Sequence, residues 1–310
     1  MILVSIQCLV YNHARYLRQC LDGFIMQKTD FKFEAIVHDD LSTDESAKII
    51  AEYAEKYPEI IKPIYETENQ YAKGDGSLAR IMNGACKGEY IALCEGDDYW
   101  IDPNKLQKQV DYMKMNPQCG MVHGIAKVYE QKNRQFKGYF GSPFNSVEEL
   151  FKNNTISTPT VLIKRSIVTR YMNEVGSNNN WQLGDYPLWL FASLNENVGF
   201  ISHPISVYRV LSDSASHSTN YGKKMSFVNS VFDMKDFFAK KYAIASSDTV
   251  CQMRFATCCS FAISYDKLND AIVFYKKIKN PTFGLTFKYL LARLHMQWMI
   301  RVIRKIKSMI

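Results

Sequence analysis

The stretch CEGDDYW, residues 94–100, places three carboxylates within four residues, those of Glu95, Asp97 and Asp98. It directly follows the apolar run of residues 90–93, which is typical of a buried strand. Carboxylates held this close repel one another, and their pKa values rise unless a cation or hydrogen-bond donors compensate the charge. A solvated acidic loop is the simplest alternative. The stretch otherwise predicts a strand that ends at an acidic site.

The segments before this stretch alternate between strand-like and helix-like patterns. Short apolar runs predict strands, and apolar residues at helical spacing predict helices between them. The predicted strands are residues 3–10, 34–38, 60–65 and 90–93, and the predicted helices are residues 16–25, 47–57 and 77–86. Ser42 and Glu45 fit a capping box at the second helix. Alternation of this kind indicates an α/β fold built on a parallel sheet.

Polar side chains follow three of these strands, at the point where each strand ends. They are Tyr11-Asn12-His13, Asp39-Asp40 and Glu95-Gly96-Asp97-Asp98. Ligands of open α/β sheets bind outside the carboxyl ends of the strands, where loops and helix amino termini converge. An incidental solvated loop would not coincide with two other polar clusters at equivalent places. The sequence therefore predicts one polar site at this edge of the sheet.

A divalent cation is the simplest way to compensate the carboxylates of this site. Mg²⁺ or Mn²⁺ binds one or two carboxylates and completes its shell with water and phosphate oxygens, so the predicted ligand is phosphorylated. A dinucleotide fingerprint is the alternative, because residues 74–79 read GDGSLA. That string follows a polar loop, whereas the turn after the first strand contains no glycine, which disfavours the dinucleotide interpretation.

Three segments, residues 5–12, 37–44 and 88–98, resemble the successive signatures of family 2 glycosyltransferases in motif, order and spacing. The resemblance covers residues 1–218. It implies the α/β GT-A fold, a Rossmann-like mixed sheet flanked by helices that binds a nucleotide-sugar. The chain is then expected to divide into a catalytic domain, residues 1–218, and a basic helical tail, residues 219–310.

The resemblance also implies roles for particular residues. Asp40 matches the aspartate that hydrogen-bonds the uracil of a UDP-sugar, and Tyr11 matches a residue that stacks near the base. Two departures from the family pattern are Glu95, in place of the first aspartate of the DxD motif, and Leu41, in place of glycine. The implied donor-binding residues are Tyr11, Asn12, Asp39, Asp40, Arg80, Asn83, Glu95, Asp97 and Arg209. The implied ligands of Mn²⁺ or Mg²⁺ are Asp97, Asp98 and His217.

Asp185 is the candidate for the general base. Sugar transfer to a hydroxyl requires a group that removes the hydroxyl proton, and Asp185 lies between aromatic residues at the start of an apolar helical run. This segment resembles the family's second acidic motif. Asp185 also suits a helix cap with Pro187 in the first turn, and the two roles are compatible. Residues 158–160 either border the acceptor site or begin an edge strand.

The carboxyl-terminal part of the chain is strongly basic. Residues 219–310 contain 16 Lys and Arg against 5 Asp, whereas residues 1–218 contain 22 basic against 26 acidic residues. Residues 226–279 predict two or three helices, and residues 285–310 predict a helix with separate basic and apolar faces. The predicted apolar arc consists of Leu291, Trp298, Met299, Val302, Ile303 and Ile306. Such a helix is typical of one that lies on an anionic membrane surface. The alternative is a helix that packs its apolar face on the protein's own core.

Composition restricts the class of protein and its location. The chain is 47% hydrophobic, without a basic leader or an uninterrupted apolar run of spanning length. Its eight cysteines lack paired metal-ligand spacing and fit reduced, buried thiols. We expect a cytoplasmic protein, peripheral on the inner face of the cell membrane. Nucleic acid is not an expected partner, because the basic tail interleaves its charges with Leu, Ile and Met more than with stacking aromatic residues.

The sequence thus predicts an inverting, metal-dependent glycosyltransferase. Its donor would be a nucleotide-diphosphate sugar, with UDP favoured, and its acceptor a hydroxyl of a saccharide or lipid-linked saccharide in cell-surface polysaccharide or glycolipid assembly. One alternative is a nucleotide-sugar-binding protein of the same fold without catalysis. The other is a sugar-phosphate nucleotidyltransferase, although residues 8–16 lack the phosphate loop expected of such an enzyme. The donor sugar, the acceptor and the oligomeric state stay open.

Overall fold

The computed structural model describes residues 1–176, 181–211, 220–296 and 298–299. These residues form two compact units. The first comprises residues 1–176 and 184–211, and the second comprises residues 181–183 and those from 220 onward. The predicted boundary at residue 218 lies outside the described residues and stays a prediction.

One mixed sheet organises the first unit. Its described strands are β1 (Ile2–Val10), β2 (Lys32–Asp39), β3 (Ile61–Tyr65), β4 (Tyr90–Leu93), β5 (Tyr99–Trp100), β6 (Cys119–Glu130), β7 (Gln135–Phe140), β8 (Leu162–Lys164) and β9 (Asn197–Val210). They lie in the order β3-β2-β1-β4-β8-β6-β9-β5, with β7 beside β6. The first four strands are parallel, whereas β8 is antiparallel to both β4 and β6. The mixed sheet is confirmed, and β8 is not an edge strand, because it has partners on both sides.

Helices flank this sheet, and the first of them illustrates how an apolar stripe packs a helix into the core. The described helices are α1 (Ala14–Ile25), α2 (Ser46–Lys56), α3 (Gln70–Lys73), α4 (Ser77–Ala85), α5 (Lys105–Met115), α6 (Val147–Lys152), α7 (Arg165–Glu174) and α8 (Tyr186–Asn195). In α1, Leu17, Leu21 and Phe24 recur at helical spacing and are buried. They share one core with Ile6 of β1. Helices α1, α2 and α4 therefore form where the apolar spacing predicts them.

The start of α2 differs from the predicted capping box. Glu45 occupies the N-cap position, but its side chain makes no capping hydrogen bond to the backbone of the helix. The Ser42 hydroxyl instead accepts a hydrogen bond from the Asn12 N–H at 2.9 Å, and Asp44 accepts one from the Ser46 N–H at 2.9 Å. The capping prediction is wrong because Ser42 joins this loop to the end of β1.

The second unit is helical. Its described helices are α9 (Tyr221–Tyr242), α10 (Ser247–Ser264), α11 (Leu268–Tyr275) and α12 (Phe283–Arg293). Three helices before residue 279 agree with the prediction. A single unbroken helix over residues 285–310 is wrong, because α12 ends at Arg293 and His295 has a φ of 57°, which helical backbone does not allow. Among the described residues, no helix combines the length and the apolarity needed to cross a membrane.

Candidate active site

The end of β1 holds the two acidic loops of the site side by side. The Asp40 N–H donates to the Val10 carbonyl at 2.9 Å, and the Gly96 N–H donates to the Leu9 carbonyl at 2.9 Å. Position 96 requires glycine, since a Cβ there would lie 2.9 Å from His13 Nδ1. Consecutive residues of one central strand thus fix the loop after β2 and the loop after β4. Both loops lie at the carboxyl edge of the sheet, where open α/β folds bind ligands.

The Asp39-Asp40 pair divides into one bonded and one available carboxylate. Asp40 is buried, and its Oδ1 and Oδ2 accept hydrogen bonds from the N–H groups of Gln70 at 2.6 Å and Tyr71 at 3.0 Å. Asp39 is also buried, but its Oδ1 has no hydrogen-bond partner among the described residues. Its Oδ2 accepts only a long bond from the Ser42 N–H at 3.4 Å. A buried oxygen without a donor is costly, so Asp39 is better placed than Asp40 to bind a ligand N–H.

Two partly exposed tyrosines lie close to Asp39. Tyr65 ends β3 and pairs with Asp39 across the sheet, and Tyr11 follows Val10, the neighbour of Asp39 on β1. The Tyr65 residue is 47% exposed and Tyr11 is 50% exposed. Partial burial and the Asp39 charge raise the pKa of Tyr65. Exposed aromatic faces of this kind can stack on a base. Tyr65 is missing from the predicted residues, although the strand-end rule that selects Tyr11 also selects it.

Asn12 joins the loop after β1 to the loop after β2. Its Oδ1 accepts hydrogen bonds from the Thr43 N–H at 2.7 Å and from the Thr43 hydroxyl at 3.2 Å. Asn12 and Leu41 both adopt left-handed backbone, with φ of 56° and 65°. Glycine adopts this conformation without strain, so Leu41 carries a backbone cost at the position where the family pattern has glycine. Asn12 therefore shapes the loop, and its direct contact with a donor stays a prediction.

The Asp97-Asp98 pair divides in the same way as the first pair. Asp98 is buried, and its Oδ1 accepts a hydrogen bond from the Arg209 N–H at 2.7 Å. Burial and the adjacent Asp97 charge raise the pKa of Asp98 well above its usual range. Asp97 has a buried Oδ1 without a partner in the described part of the chain. The geometry therefore favours Asp97 over Asp98 as the carboxylate that binds a ligand or an ion.

Arg209 holds this second loop through its side chain as well. Its Nε donates to the Asp97 carbonyl at 2.7 Å, and its terminal nitrogens donate to Gln131 at 2.8 Å and Gln19 at 2.9 Å. The guanidinium also lies 4.7, 5.3 and 5.6 Å from the ring centroids of Tyr16, Tyr99 and Tyr129. Arg209 is 7% exposed. These contacts occupy most of the guanidinium, so Arg209 positions the loop, and its predicted contact with the donor stays a prediction.

Glu95 links the second loop to Asp185 electrostatically. The Glu95 side chain reaches solvent. Desolvation by the surrounding protein, together with the charges of Asp97 and Asp185, raises the pKa of Glu95 to about 8. The carboxylates of Asp97 and Asp185 therefore lie near enough to Glu95 to act on its charge.

Asp185 lies at the amino end of α8 and caps it. Its Oδ1 accepts a hydrogen bond from the Tyr186 N–H at 2.7 Å, and its Oδ2 accepts one from the Thr158 hydroxyl at 2.6 Å. The two bonds fix the orientation of the carboxylate and leave one lone pair on each oxygen. The cap prediction is confirmed. The role of Asp185 as a base stays a prediction, with its closeness to Glu95 in favour.

A buried polar network supports the 3₁₀ turn at residues 158–160, from which the Thr158 hydroxyl reaches Asp185. The Trp100 indole N–H and the Gln109 side-chain amide donate to two carbonyls of this turn, at 2.9 and 2.7 Å. Lys105 is fully buried, donates to Gln109 Oε1 at 2.8 Å and lies 4.0 Å from the Trp100 ring centroid. Burial lowers the pKa of Lys105 to about 7. No sequence spacing reveals this network, because it joins α5 to a turn some fifty positions later.

Arg80 and Asn83, two predicted donor-binding residues, lie on α4. Arg80 is exposed, and its guanidinium donates to the Asp75 carbonyl at 2.9 Å. The Asn83 amide nitrogen donates to the Thr169 hydroxyl of α7 at 3.4 Å, and its Oδ1 is buried without a partner among the described residues. Their donor-binding roles stay predictions.

The described residues offer carboxylates for a divalent cation rather than a complete protein shell. Among them, no group of three or more His, Cys, Asp and Glu side chains is arranged to hold a metal ion, and His217 lies outside the described residues. Asp97 provides a buried oxygen without a donor, and Glu95 is close enough to sense its charge. Mg²⁺ typically binds one or two carboxylates and completes its shell with phosphate and water oxygens. The residues present therefore fit such an ion bound together with a phosphorylated ligand.

A match to a family model covers both acidic loops. The model of Glycosyl transferase family 2 matches residues 5–172, more than half of the chain. The chain belongs to glycosyl transferase family 2. This membership confirms the family resemblance of the three sequence segments. The match ends before Asp185, so the family model contains both acidic loops and leaves the candidate base outside it.

Relatives in this family include proteins with and without a known reaction. An uncharacterised Mycobacterium bovis protein is 40% identical over 165 residues, which are 52% of this chain and 47% of that protein. The matched segment thus spans about half the length of that relative. Escherichia coli WfaP, a UDP-Glc:alpha-D-GlcNAc-diphosphoundecaprenol beta-1,3-glucosyltransferase, is 28% identical over 189 residues, which are 61% of this chain and 69% of WfaP.

Solved structures confirm the GT-A fold. S. aureus TarS 1–349, in complex with UDP-GlcNAc, superposes with a TM-score of 0.58 at 16% identity, over 94% of this chain and 79% of that chain. The Pyrobaculum calidifontis mannosyltransferase PcManGT, in complex with GDP-Man and Mn²⁺, gives a TM-score of 0.50 at 15% identity, over 93% and 86% of the two chains. At these identities the likeness shows the fold alone.

Proposed function

We propose that this chain is an inverting glycosyltransferase that moves a sugar from a nucleotide-diphosphate donor, with UDP favoured, to a hydroxyl of a saccharide or lipid-linked acceptor. One observation carries the proposal. Among the described residues, Asp39 and Asp97 each have a buried oxygen without a donor, on neighbouring loops of one sheet edge, and the charge of Asp185 acts on Glu95 of the second loop. The first loop offers a hydrogen-bond acceptor for a base, and the second offers a cation-binding carboxylate for a diphosphate.

We assign the nucleobase of the donor to the surface formed by Asp39, Tyr11 and Tyr65. The free Oδ1 of Asp39 would accept the imide N–H of uracil, and the rings of Tyr11 and Tyr65 would stack on the base. TarS in complex with UDP-GlcNAc supports UDP, whereas PcManGT in complex with GDP-Man demonstrates that this fold also accepts another base. The proposed preference for UDP therefore rests on these three residues and not on the fold.

The transfer step requires a base on the acceptor side and charge neutralisation on the donor side. The acceptor oxygen attacks the anomeric carbon while the bond from that carbon to the diphosphate breaks, and Asp185 takes the hydroxyl proton. Thr158 and the Tyr186 N–H hold Asp185 in a fixed orientation for this task. Bound at Asp97, Mn²⁺ or Mg²⁺ would neutralise the charge that develops on the diphosphate.

A lipid-linked acceptor is the finer part of the proposal. The name of the Escherichia coli relative WfaP states a diphosphoundecaprenol-linked acceptor, which places that enzyme's reaction on a lipid carrier. An equivalent acceptor for this chain would give it a role in the assembly of a cell-surface polysaccharide or glycolipid.

The donor and the metal are tested together. Thermal-shift and donor-hydrolysis assays would compare UDP-, GDP- and TDP-sugars, each with Mn²⁺ and with EDTA. We expect the largest stabilisation and the fastest hydrolysis with a UDP-sugar and Mn²⁺. Stabilisation by GDP- or TDP-sugars alone would exclude uracil as the nucleobase of the donor. Hydrolysis that EDTA leaves unchanged would exclude a role for the metal.

The variant Asp185→Asn tests whether Asp185 is the general base. We expect it to bind the donor as the wild type does and to lose about 10²–10⁴-fold in turnover, the usual contribution of a general base. The exposed Asp30→Asn is the matched control and should retain turnover. Near-normal turnover in Asp185→Asn would remove the base assignment. A wild-type protein that binds donors but turns over none of them would instead favour the non-catalytic alternative.

A further inference from the structure

Helix α12 carries apolar side chains on two opposite faces. On one face, Leu285, Tyr289 and Ala292 are buried in the core of the second unit, together with residues of α10 and α11. On the other face, four apolar side chains recur at intervals of four, three and four residues, which places them on one side of a helix. We refer to these four as the exposed stripe: Phe283, Phe287, Leu290 and Leu294.

The exposed stripe is open to solvent in the described part of the chain. Phe283 is 86% exposed and Leu294 is 66% exposed, and the rings of Phe283 and Phe287 lie 6.4 Å apart. A helix that is apolar on all sides is normally buried on all sides. Contiguous apolar patches on an otherwise polar surface mark sites of interaction. The face that carries the stripe therefore calls for a partner that the described residues of the second unit do not supply.

The charge around the stripe indicates the chemistry of that partner. From residue 271 to residue 310 the chain contains nine Lys and Arg and no Asp or Glu. Lys276, Lys277 and Arg293 are exposed among the described residues. Docking with a second copy through this face would bring two acid-free basic segments together, which like-charge repulsion opposes. An anionic surface with an apolar interior complements both the stripe and the charge.

We propose that the exposed stripe docks α12 on an anionic lipid surface. The helix lies in the plane of the interface, with Phe283, Phe287 and Leu290 among the acyl chains and the basic side chains at the level of the headgroups. This face differs from the one that the sequence predicts, because Leu291 belongs to the predicted apolar arc and is buried in the protein. The proposal does not depend on the reaction that the first unit performs.

Vesicle co-sedimentation of the full chain tests the proposal. The wild type should bind vesicles of phosphatidylcholine with phosphatidylglycerol, and should bind pure phosphatidylcholine more weakly. The double variant Phe287→Ser/Leu290→Ser should lose about tenfold in partition to the anionic vesicles, because it removes two inserted apolar side chains. Phe136→Ser/Tyr139→Ser removes two aromatic residues of β7 that are at least as exposed as the stripe pair and is the matched control. Donor hydrolysis in solution should be the same in all of these proteins.

Two results would overturn the proposal. The first is equal vesicle binding by the wild type and the stripe variant, or no binding by either. The second is a wild-type dimer, or a complex with an acidic protein, that the stripe variant abolishes while vesicle binding is absent. Because hydrolysis is measured in parallel, failure of the lipid proposal is distinguishable from failure of the proposed function.

Discussion

In both acidic loops of the site, the two adjacent aspartates differ in their hydrogen-bond partners. One aspartate of each pair accepts hydrogen bonds from backbone N–H groups: Asp40 from two residues of α3, and Asp98 from Arg209. The other, Asp39 or Asp97, keeps a buried oxygen without a donor among the described residues. Two adjacent carboxylates repel, and bonding one of them to the protein allows the second to stay available. Each pair therefore contains one anchored carboxylate and one that is available to a ligand, rather than two equivalent carboxylates.

The loops differ in how firmly the anchor is held. Asp40 accepts two N–H groups from one short helix, whereas Asp98 accepts one N–H from a residue 111 positions later. The second anchor depends on Arg209, whose side chain also binds the Asp97 carbonyl. The loop proposed to bind the diphosphate is thus fixed by long-range contacts, while the loop proposed to bind the base is fixed within the first half of the sheet.

Asp97→Asn against Asp98→Asn gives the largest expected effect. Asp97→Asn should lose about 10²–10³-fold in turnover, because it removes a charge at the site of the diphosphate while the fold persists. Asp98→Asn should lose far less, because the asparagine oxygen still accepts the Arg209 N–H. Steady-state kinetics with thermal unfolding as the fold control measures both. Equal losses of turnover in two well-folded variants would contradict the proposal that Asp98 anchors the loop while Asp97 binds the ligand or ion.

Asp39→Ala against Asp40→Ala applies the comparison to the first loop. Asp39→Ala should weaken donor binding about 10–100-fold with little change in Tm, because within the described protein Asp39 accepts only the long bond from the Ser42 N–H. Asp40→Ala should lower the Tm by several degrees, because it leaves the N–H groups of Gln70 and Tyr71 unpaired. Calorimetric titration with the donor and thermal unfolding report the two quantities. Weaker donor binding in Asp40→Ala and a lower Tm in Asp39→Ala would indicate instead that Asp40 binds the uracil.

Thr158→Val tests whether a hydrogen bond from the protein positions Asp185, the candidate general base, as hydrogen bonds position Asp40 and Asp98. The substitution keeps the size of the side chain and removes the hydroxyl that donates to Asp185. We expect about a tenfold loss in kcat with the KM for the sugar donor unchanged. Thr158→Ser keeps the hydroxyl that donates to Asp185 and should restore kcat. A Val variant with normal kcat would show that Thr158 has only a packing role.

Lys105→Met gives the smallest expected effect on turnover and tests the support beneath the turn at residues 158–160. Burial lowers the pKa of Lys105 to about 7, below its value of about 10.4 in the unfolded chain. Between these values the unfolded chain binds a proton that the folded chain does not, so the wild type gains stability as pH rises. Below pH 7 the full cost of burying the charge is present in the wild type.

The Met variant loses this slope. Its stability relative to the wild type should therefore fall by up to about 1.4 kcal/mol per pH unit from pH 7 to 10. Urea unfolding at several pH values measures the difference, with the exposed Lys32→Met as control. Parallel pH profiles for Lys105→Met and the wild type would contradict a neutral, buried Lys105.

Local patterns carry much of the prediction in this chain. The spacing of Leu17, Leu21 and Phe24 predicts α1, and the apolar run at residues 90–93 predicts β4, because burial of a stripe or a strand is written in neighbouring residues. The convergence of the two acidic loops also follows, since the carboxyl ends of parallel strands share one edge. The capping box fails because Ser42 meets Asn12, a contact between loops thirty positions apart.

The sequence alone determined the alternation of strands and helices, the three polar strand ends, the family and the basic tail, since each is a property of neighbouring residues or of composition. Only the tertiary structure decided which aspartate of each pair is anchored, that Arg209 is enclosed by three tyrosines, and that α12 buries Leu291 and exposes Phe283. Hydrogen-bond satisfaction and burial depend on residues that come from distant parts of the chain. Two adjacent aspartates therefore read alike in the sequence and acquire different partners when the chain folds.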